Sequence, residues 1–244
     1  MNTEREQVFV WSKNTRLFHW INVTAILLLI TIGVIILNSK TIGISTDGKI
    51  LLKTIHVLVG YIFAVNLILR IALGFIGKSY EKWNKALPFC KGFKEEVYKF
   101  RHDKKFVFKG HNPAGKLMVL ALLSLMFTQM VSGLVIAGTD IYYPPLGGYF
   151  VQSIAIDKNN TESIEPYSKV NVDEKAYKKM RELRKPFITA HIYGFYGLIL
   201  LIPLHVIGVI VSEKKEKSAL ISAMVNGIKY LPKNQTEHKK KEAQ

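Results

Sequence analysis

The chain has 244 residues, 49% of them hydrophobic, and carries a formal net charge of +16. The apolar residues gather into long blocks with the charges between them. This excludes an ordinary aqueous core and a separate nucleic-acid-binding domain, and it points to a lipid bilayer.

Four stretches are long enough to cross about 30 Å of hydrocarbon at about 1.5 Å per residue. In chain order they cover 17–38, 52–76, 116–138 and 187–212. The first is too long for a signal-peptide core and has no small-x-small cleavage site after it, so it reads as a retained anchor. The segment from Lys78 to Lys116 holds 11 Lys/Arg against 4 acids, the tail after Ser212 holds 8 against 4, and the first 16 residues hold 3 against 2. The other two connections are nearly neutral, at 2 against 1 for Ser39–Leu51 and 8 against 7 for Asp140–Pro186. Positive segments stay in the cytoplasm, so both termini and the middle loop are expected inside. The expected fold is all-α: one polytopic domain over 1–244, a four-helix transmembrane bundle, N-in and C-in. An extracytoplasmic segment covers 140–186 and a cytoplasmic tail 213–244.

The middle loop ends in Gly110-His111-Asn112-Pro113, which reads as a helix start with Asn112 as N-cap and Pro113 at the first helical position. The long outer segment opens with two tyrosines and two prolines (Tyr142 to Pro145), followed by Leu146-Gly147-Gly148, and turns polar and helical from Asp173 to Arg184. Its length suggests a docking surface. The Lys-rich end, Lys239 to Lys241, reads as disordered. Cys90 is the sole cysteine, so there is no disulfide framework, no CxxC motif and no thioether-linked haem.

Of seven histidines, His102 and His238 lie in polar surroundings and read as solvated, and His111 sits in the loop motif. His19, His56, His191 and His205 fall within the spans, where ionisable groups are rare and by default functional. His191 and His205 are 14 residues apart. On a helix that places them within about 40° of one face and about 21 Å apart along the axis. Alternating span direction then pairs them by depth, His56 with His191 on the outer side and His19 with His205 on the cytoplasmic side. Two bis-imidazole layers are what two haems require. Zinc or proton transport is the rival from another class, but zinc would want convergent ligands, often with carboxylates, and the spans carry almost none.

Small residues accompany the histidines. Gly33 lies on the His19 face at the outer depth, and Gly60, Gly194 and Gly208 lie one turn from His56, His191 and His205. They fit either a flat ring passing between helices or close small-xxx-small packing. Arg70 is level with the inner pair and Arg16 is one turn before His19. Either could meet haem propionates, with snorkelling to the interface as the alternative. Pro203 is expected to kink the fourth span.

These residues resemble the Ni/Fe-hydrogenase b-type cytochrome subunit family, a di-haem membrane anchor that also serves thiosulfate reductases, formate dehydrogenases and c-type cytochrome pathways. The resemblance covers nearly the whole chain. It rests on Trp11 through Arg16-Leu17-Phe18-His19-Trp20, on His56 to Gly60 with Asn66 and Arg70, and on Gly110 to Pro113. Lys185-Pro186-Phe187 before His191, His205-Val206, and Leu220 to Met224 complete it. It implies a bacterial cytoplasmic (inner) membrane protein with two haem b groups, ligated by His19, His205, His56 and His191. It also implies menaquinone or ubiquinone beside the cytoplasmic haem, near His205 and Asn112, with His111 as proton donor. The implied role is the electron-transfer subunit of a respiratory oxidoreductase complex. Electrons would pass between a periplasmic or membrane-anchored partner (the hydrogenase small subunit or else a c-type cytochrome or thiosulfate reductase) and quinone by way of the outer and inner haems, inward to quinone or outward from quinol. Gly147-Gly148-Tyr149 is similar to the c-type-cytochrome branch.

Overall fold

The computed structural model describes residues 4–77, 79–103 and 106–233. His238 and Lys239 to Lys241 lie outside the described residues. Four long apolar helices are α1 (Lys13–Leu37), α3 (Thr46–Ile76), α6 (Pro113–Asp140) and α8 (Glu174–Glu216), all of a length and composition that can cross a membrane. Apolar side chains such as Leu27, Val65 and Ile207 are exposed on them, a surface suited to lipid rather than water. Short helices α2 (Ser39–Ile42), α4 (Trp83–Ala86), α5 (Phe93–His102), α7 (Gly147–Ile154) and α9 (Leu220–Asn226), with strands β1 (Arg5–Phe9) and β2 (Ile228–Pro232), fill the connections and ends.

All four long helices start on a side-chain cap. Oxygens of Ser12, Ser45, Asn112 and Asp173 accept the backbone N–H three residues on, from Thr15 (3.2 Å), Gly48 (3.1 Å), Gly115 (2.8 Å) and Ala176 (2.8 Å). Each cap satisfies one of the donors a helix start leaves free. The helices begin before the apolar runs do, because backbone bonding continues into the polar residues that flank the hydrocarbon.

The polar helix expected over 173–184 is present and continuous with the fourth span. It is the first part of α8, which runs through Pro186 and Pro203 without a break. Tertiary contacts explain why this polar stretch stays helical: Met180 is buried in a local core, and Arg184 Nη1 donates to Thr139 O (3.0 Å) and Asp140 Oδ1 (2.6 Å).

The chain divides into two compact units, and every long helix contributes to both. The first comprises Met1–Ile21, Ile68–Ser124 and Ile199–Gln244. Here β1 pairs antiparallel with β2, from Arg5 opposite Pro232 to Phe9 opposite Ile228. Gly227, at φ +88°, turns α9 into β2, and its carbonyl accepts from Val10 N (2.8 Å) and Trp11 N (3.2 Å). Any Cβ there would meet Phe9 at 2.6 Å. Val10, Trp11 and Ala223 form the local core.

The second unit comprises Asn22–Leu67 and Leu125–Leu198. Its non-spanning part closes over Ile154, Ala155, Ile164, Val172 and Met180. A bridge between Ala155 and Val172 joins the two sides of the segment. Asp140, at the end of α6, pairs with both Lys53 of α3 and Arg184 of α8.

Candidate functional site

In the second unit, α3 and α8 bring His56 and His191 face to edge, with ring centroids 6.3 Å apart and planes at 68°. His56 Nδ1 is buried with no hydrogen-bond partner. Gly33 of α1 lies against His56, where an added Cβ would sit 3.4 Å from Cε1, and Gly133 of α6 lies against His191 at the same 3.4 Å. Around the two rings runs a cleft lined by residues such as Ile30, Gly33, Gly60 and Gly133, with about 990 Å³ free of protein atoms, open mouth included. Gly60 meets nothing within 4 Å of where its Cβ would be, so it leaves the cleft open.

Sequence reasoning missed the part played by α6, which has no histidine of its own. Gln129 Nε2 donates to the His191 carbonyl (2.8 Å), and Ser132 Oγ lies 2.9 Å from His191 Nδ1. With Gly133 these residues occupy one turn of the helix. The available signal was a cluster of polar residues and a glycine, Thr128, Gln129, Ser132 and Gly133, in a mainly apolar run. Gly194, by contrast, serves packing, since its Cβ would run into Gln129 at 2.6 Å.

In the first unit, His19 of α1 and His205 of α8 lie within electrostatic reach of each other. His19 Nδ1 is buried without a partner, as is Arg16 Nε. Two contacts tie the start of α1 to α9: Trp20 Nε1 donates to Met224 O (2.9 Å), and Arg16 donates to Val225 O. Arg70 is buried; its guanidinium lies 4.5 Å over the Trp83 ring and 5.8 Å over Phe18, and it donates to Glu81 O (3.1 Å). Gly208 faces open space.

His111 stacks on Trp11 with centroids 4.7 Å apart, and its Nδ1 is buried and unpartnered. Burial first, then the positive fields of Lys229, Arg70, His205 and Lys116, hold its pKa down to about 3. The ring is therefore neutral at physiological pH. Asn112 caps α6 and offers its Nδ2 to Glu216 Oε1 at 3.3 Å. His102 is exposed and stacks on Tyr98. Among the described residues, no three His, Cys, Asp or Glu side chains converge as a metal cluster.

Four membrane-spanning helices with half-buried histidines along them are the frame of a membrane cytochrome. The family described as prokaryotic cytochrome b561 matches residues 10–227, and the chain belongs to it. It is a multi-pass membrane protein and a b-type cytochrome, which implies haem b and electron transfer. The chain is 25% identical over 238 residues to a probable Ni/Fe-hydrogenase B-type cytochrome subunit of Rhizobium leguminosarum bv. viciae, covering 92% of this chain and 89% of that protein. A probable subunit of the same description from Rhodobacter capsulatus is 24% identical, covering 91% and 81%. One from Bradyrhizobium diazoefficiens is 21% identical, covering 91% and 86%. No solved structure matches the chain significantly.

Proposed function

We propose that His56 and His191 ligate one haem b, that His19 and His205 ligate a second, and that residues 1–244 form one di-haem domain carrying electrons between a Ni/Fe hydrogenase and the quinone pool. The observation that carries this reading is the 6.3 Å between the His56 and His191 ring centres. With a metal–imidazole bond of about 2 Å, two rings at this separation could hold one metal ion between them. Room for a flat macrocycle is supported by the missing side chains at Gly33, Gly60 and Gly133, which border the same cleft. The Nδ1 atoms of His19 and His56 are buried with no protein partner, so no hydrogen bond to Nδ1 orients these two rings. Bound haem supplies reversible one-electron transfer at its iron, and the chain supplies its ligands and a dry setting.

The remaining residues have assigned tasks. Arg16 and Arg70 offer guanidinium groups to propionates, Arg16 with its Nε free. Menaquinone or ubiquinone would bind in the first unit near His205, His111 and Asn112. The neutral His111 ring can exchange a hydrogen bond with a quinone oxygen, and the cap bond fixes the Asn112 carboxamide. The hydrogenase partner is suggested by the descriptions of the relatives. The charge balance of the loops favours both termini in the cytoplasm of a bacterial inner membrane and an outer face built from 140–186.

Reduced-minus-oxidised spectra with haem quantified per chain test the ligand assignment. Each of His19→Ala, His56→Ala, His191→Ala and His205→Ala should lose one of two haems, the same one within each pair. Four variants that all keep two haems would overturn it.

A further inference from the structure

Ser132 lies on α6 only 2% exposed, and it makes three contacts. Its Oγ is 2.6 Å from Thr128 O, 3.3 Å from Gln129 O and 2.9 Å from His191 Nδ1. A hydroxyl has one proton and two lone pairs. The two carbonyls can only accept, and the shorter contact, to Thr128, takes the proton. A lone pair of Ser132 Oγ is then left facing His191 Nδ1, and the contact is satisfied when that nitrogen carries the hydrogen and donates it. This tautomer leaves Nε2 with its lone pair free for iron. His56, across the cleft, has no such partner on its Nδ1.

Back-bonding of a serine to the carbonyl one turn earlier is common in membrane helices and by itself says nothing about function. The contact to Nδ1 is what distinguishes Ser132. Gln129 holds the His191 backbone from the same turn of α6, and Gly133 allows the close approach.

We propose that Ser132 is a positioning residue for one axial ligand. By accepting the Nδ1–H of His191 it fixes the ring's tautomer and orientation and makes that ligand the more electron-rich of the two. The inference rests on the ligand reading above. A hydrogen bond from Nδ1–H pushes electron density toward Nε2, which favours the more positive ferric state and lowers the potential of that haem. α6 thus sets the redox poise of a site to which it contributes no ligand.

The test is a spectroscopic redox titration of the full-length, haem-loaded protein with Ser132→Ala, Ser132→Thr and His191→Ala in parallel. Ser132→Ala should keep two haems and raise the ferrous-to-ferric ratio of one haem roughly tenfold at a fixed poise, about 59 mV for a one-electron couple. The other haem should not move, and Ser132→Thr, which keeps the hydroxyl, should return the wild-type value. If Ser132→Ala loses the haem, Ser132→Cys, a weaker acceptor of similar size, is titrated instead and should shift the same way. Unmoved potentials in the titrated variant, or a threonine variant displaced as far as alanine, would overturn the inference while His191→Ala still loses one haem. If His191→Ala retained both haems, the ligand assignment itself would fall and this inference with it.

Discussion

Replacing Asp140 with asparagine removes one negative charge that two cations share. Arg184 Nη1 reaches Oδ1 at 2.6 Å and Lys53 Nζ pairs with Oδ2, with side-chain exposures of 16% for Asp140, 11% for Arg184 and 18% for Lys53. Breaking a fully buried pair costs about 3–5 kcal/mol, and an exposed pair about 0–1 kcal/mol. A network this well covered lies between these limits, so the variant should lose about 2–3 kcal/mol. At about 2–4 °C per kcal/mol for a chain of this size, the melting temperature should fall by roughly 4–12 °C. The assay is a melting series in detergent for Asp140→Asn, Arg184→Gln and the double variant, where a coupling of at least ~1 kcal/mol is expected between the sites. Lys53 precedes His56 by three residues and Arg184 precedes His191 by seven, so on the ligand assignment proposed above the haem held by His56 and His191 should also dissociate earlier on heating. A variant melting within a degree of the parent, or single effects that simply add, would refute the reasoning.

Two adjacent glycines should respond oppositely to alanine. At Gly147 a Cβ would run into the Tyr142 carbonyl oxygen, backbone that cannot swing away, whereas at Gly148 nothing lies within 4 Å. Gly147→Ala should destabilise by at least ~1–3 kcal/mol and speed proteolysis within 140–186, with Gly148→Ala unchanged; equal digestion of the two would count against this packing. Lys229 is 1% exposed and donates to Phe108 O (3.1 Å) and Gly110 O (2.9 Å). Burial pushes its pKa from 10.5 down to about 8, against the opposing fields of Glu216 and Glu213. Between those values the unfolded chain holds a proton that the folded chain has released. Stability therefore rises with pH through that window, by up to about 3 kcal/mol, and this contribution is flat below it. Melting at pH 7.5 and 9.5 should show about 2 kcal/mol of that gain relative to Lys229→Met, and an identical pH response in both would dismiss it.

The sequence alone determined that this chain spans a membrane four times, because a bilayer demands long unbroken apolar runs that periodicity and length expose directly. It also determined that His56 and His191 come together. Helix rise and alternating span direction set depth from residue number, with no contact needing to be known. The start of α6 was legible for the same local reason, since Asn112-Pro113 is a cap and a first-turn proline. Ser12, Ser45 and Asp173 carried the same signal in less conspicuous form.

Only the tertiary structure decided what depends on residues far apart in sequence. That the polar helix before Lys185 runs on unbroken into the fourth span was decided there, with Met180 and Arg184 finding partners in the 139–172 segment. The pairing of β1 with β2 joins residues more than 200 positions apart, and so few strand residues leave no alternation to read. The His191 seat on α6 was hidden for a similar reason. Gln129, Ser132 and Gly133 acquire their meaning from the helix they face, and the rotation of α6 about its axis is set by packing against neighbours rather than by any pattern along its own apolar length.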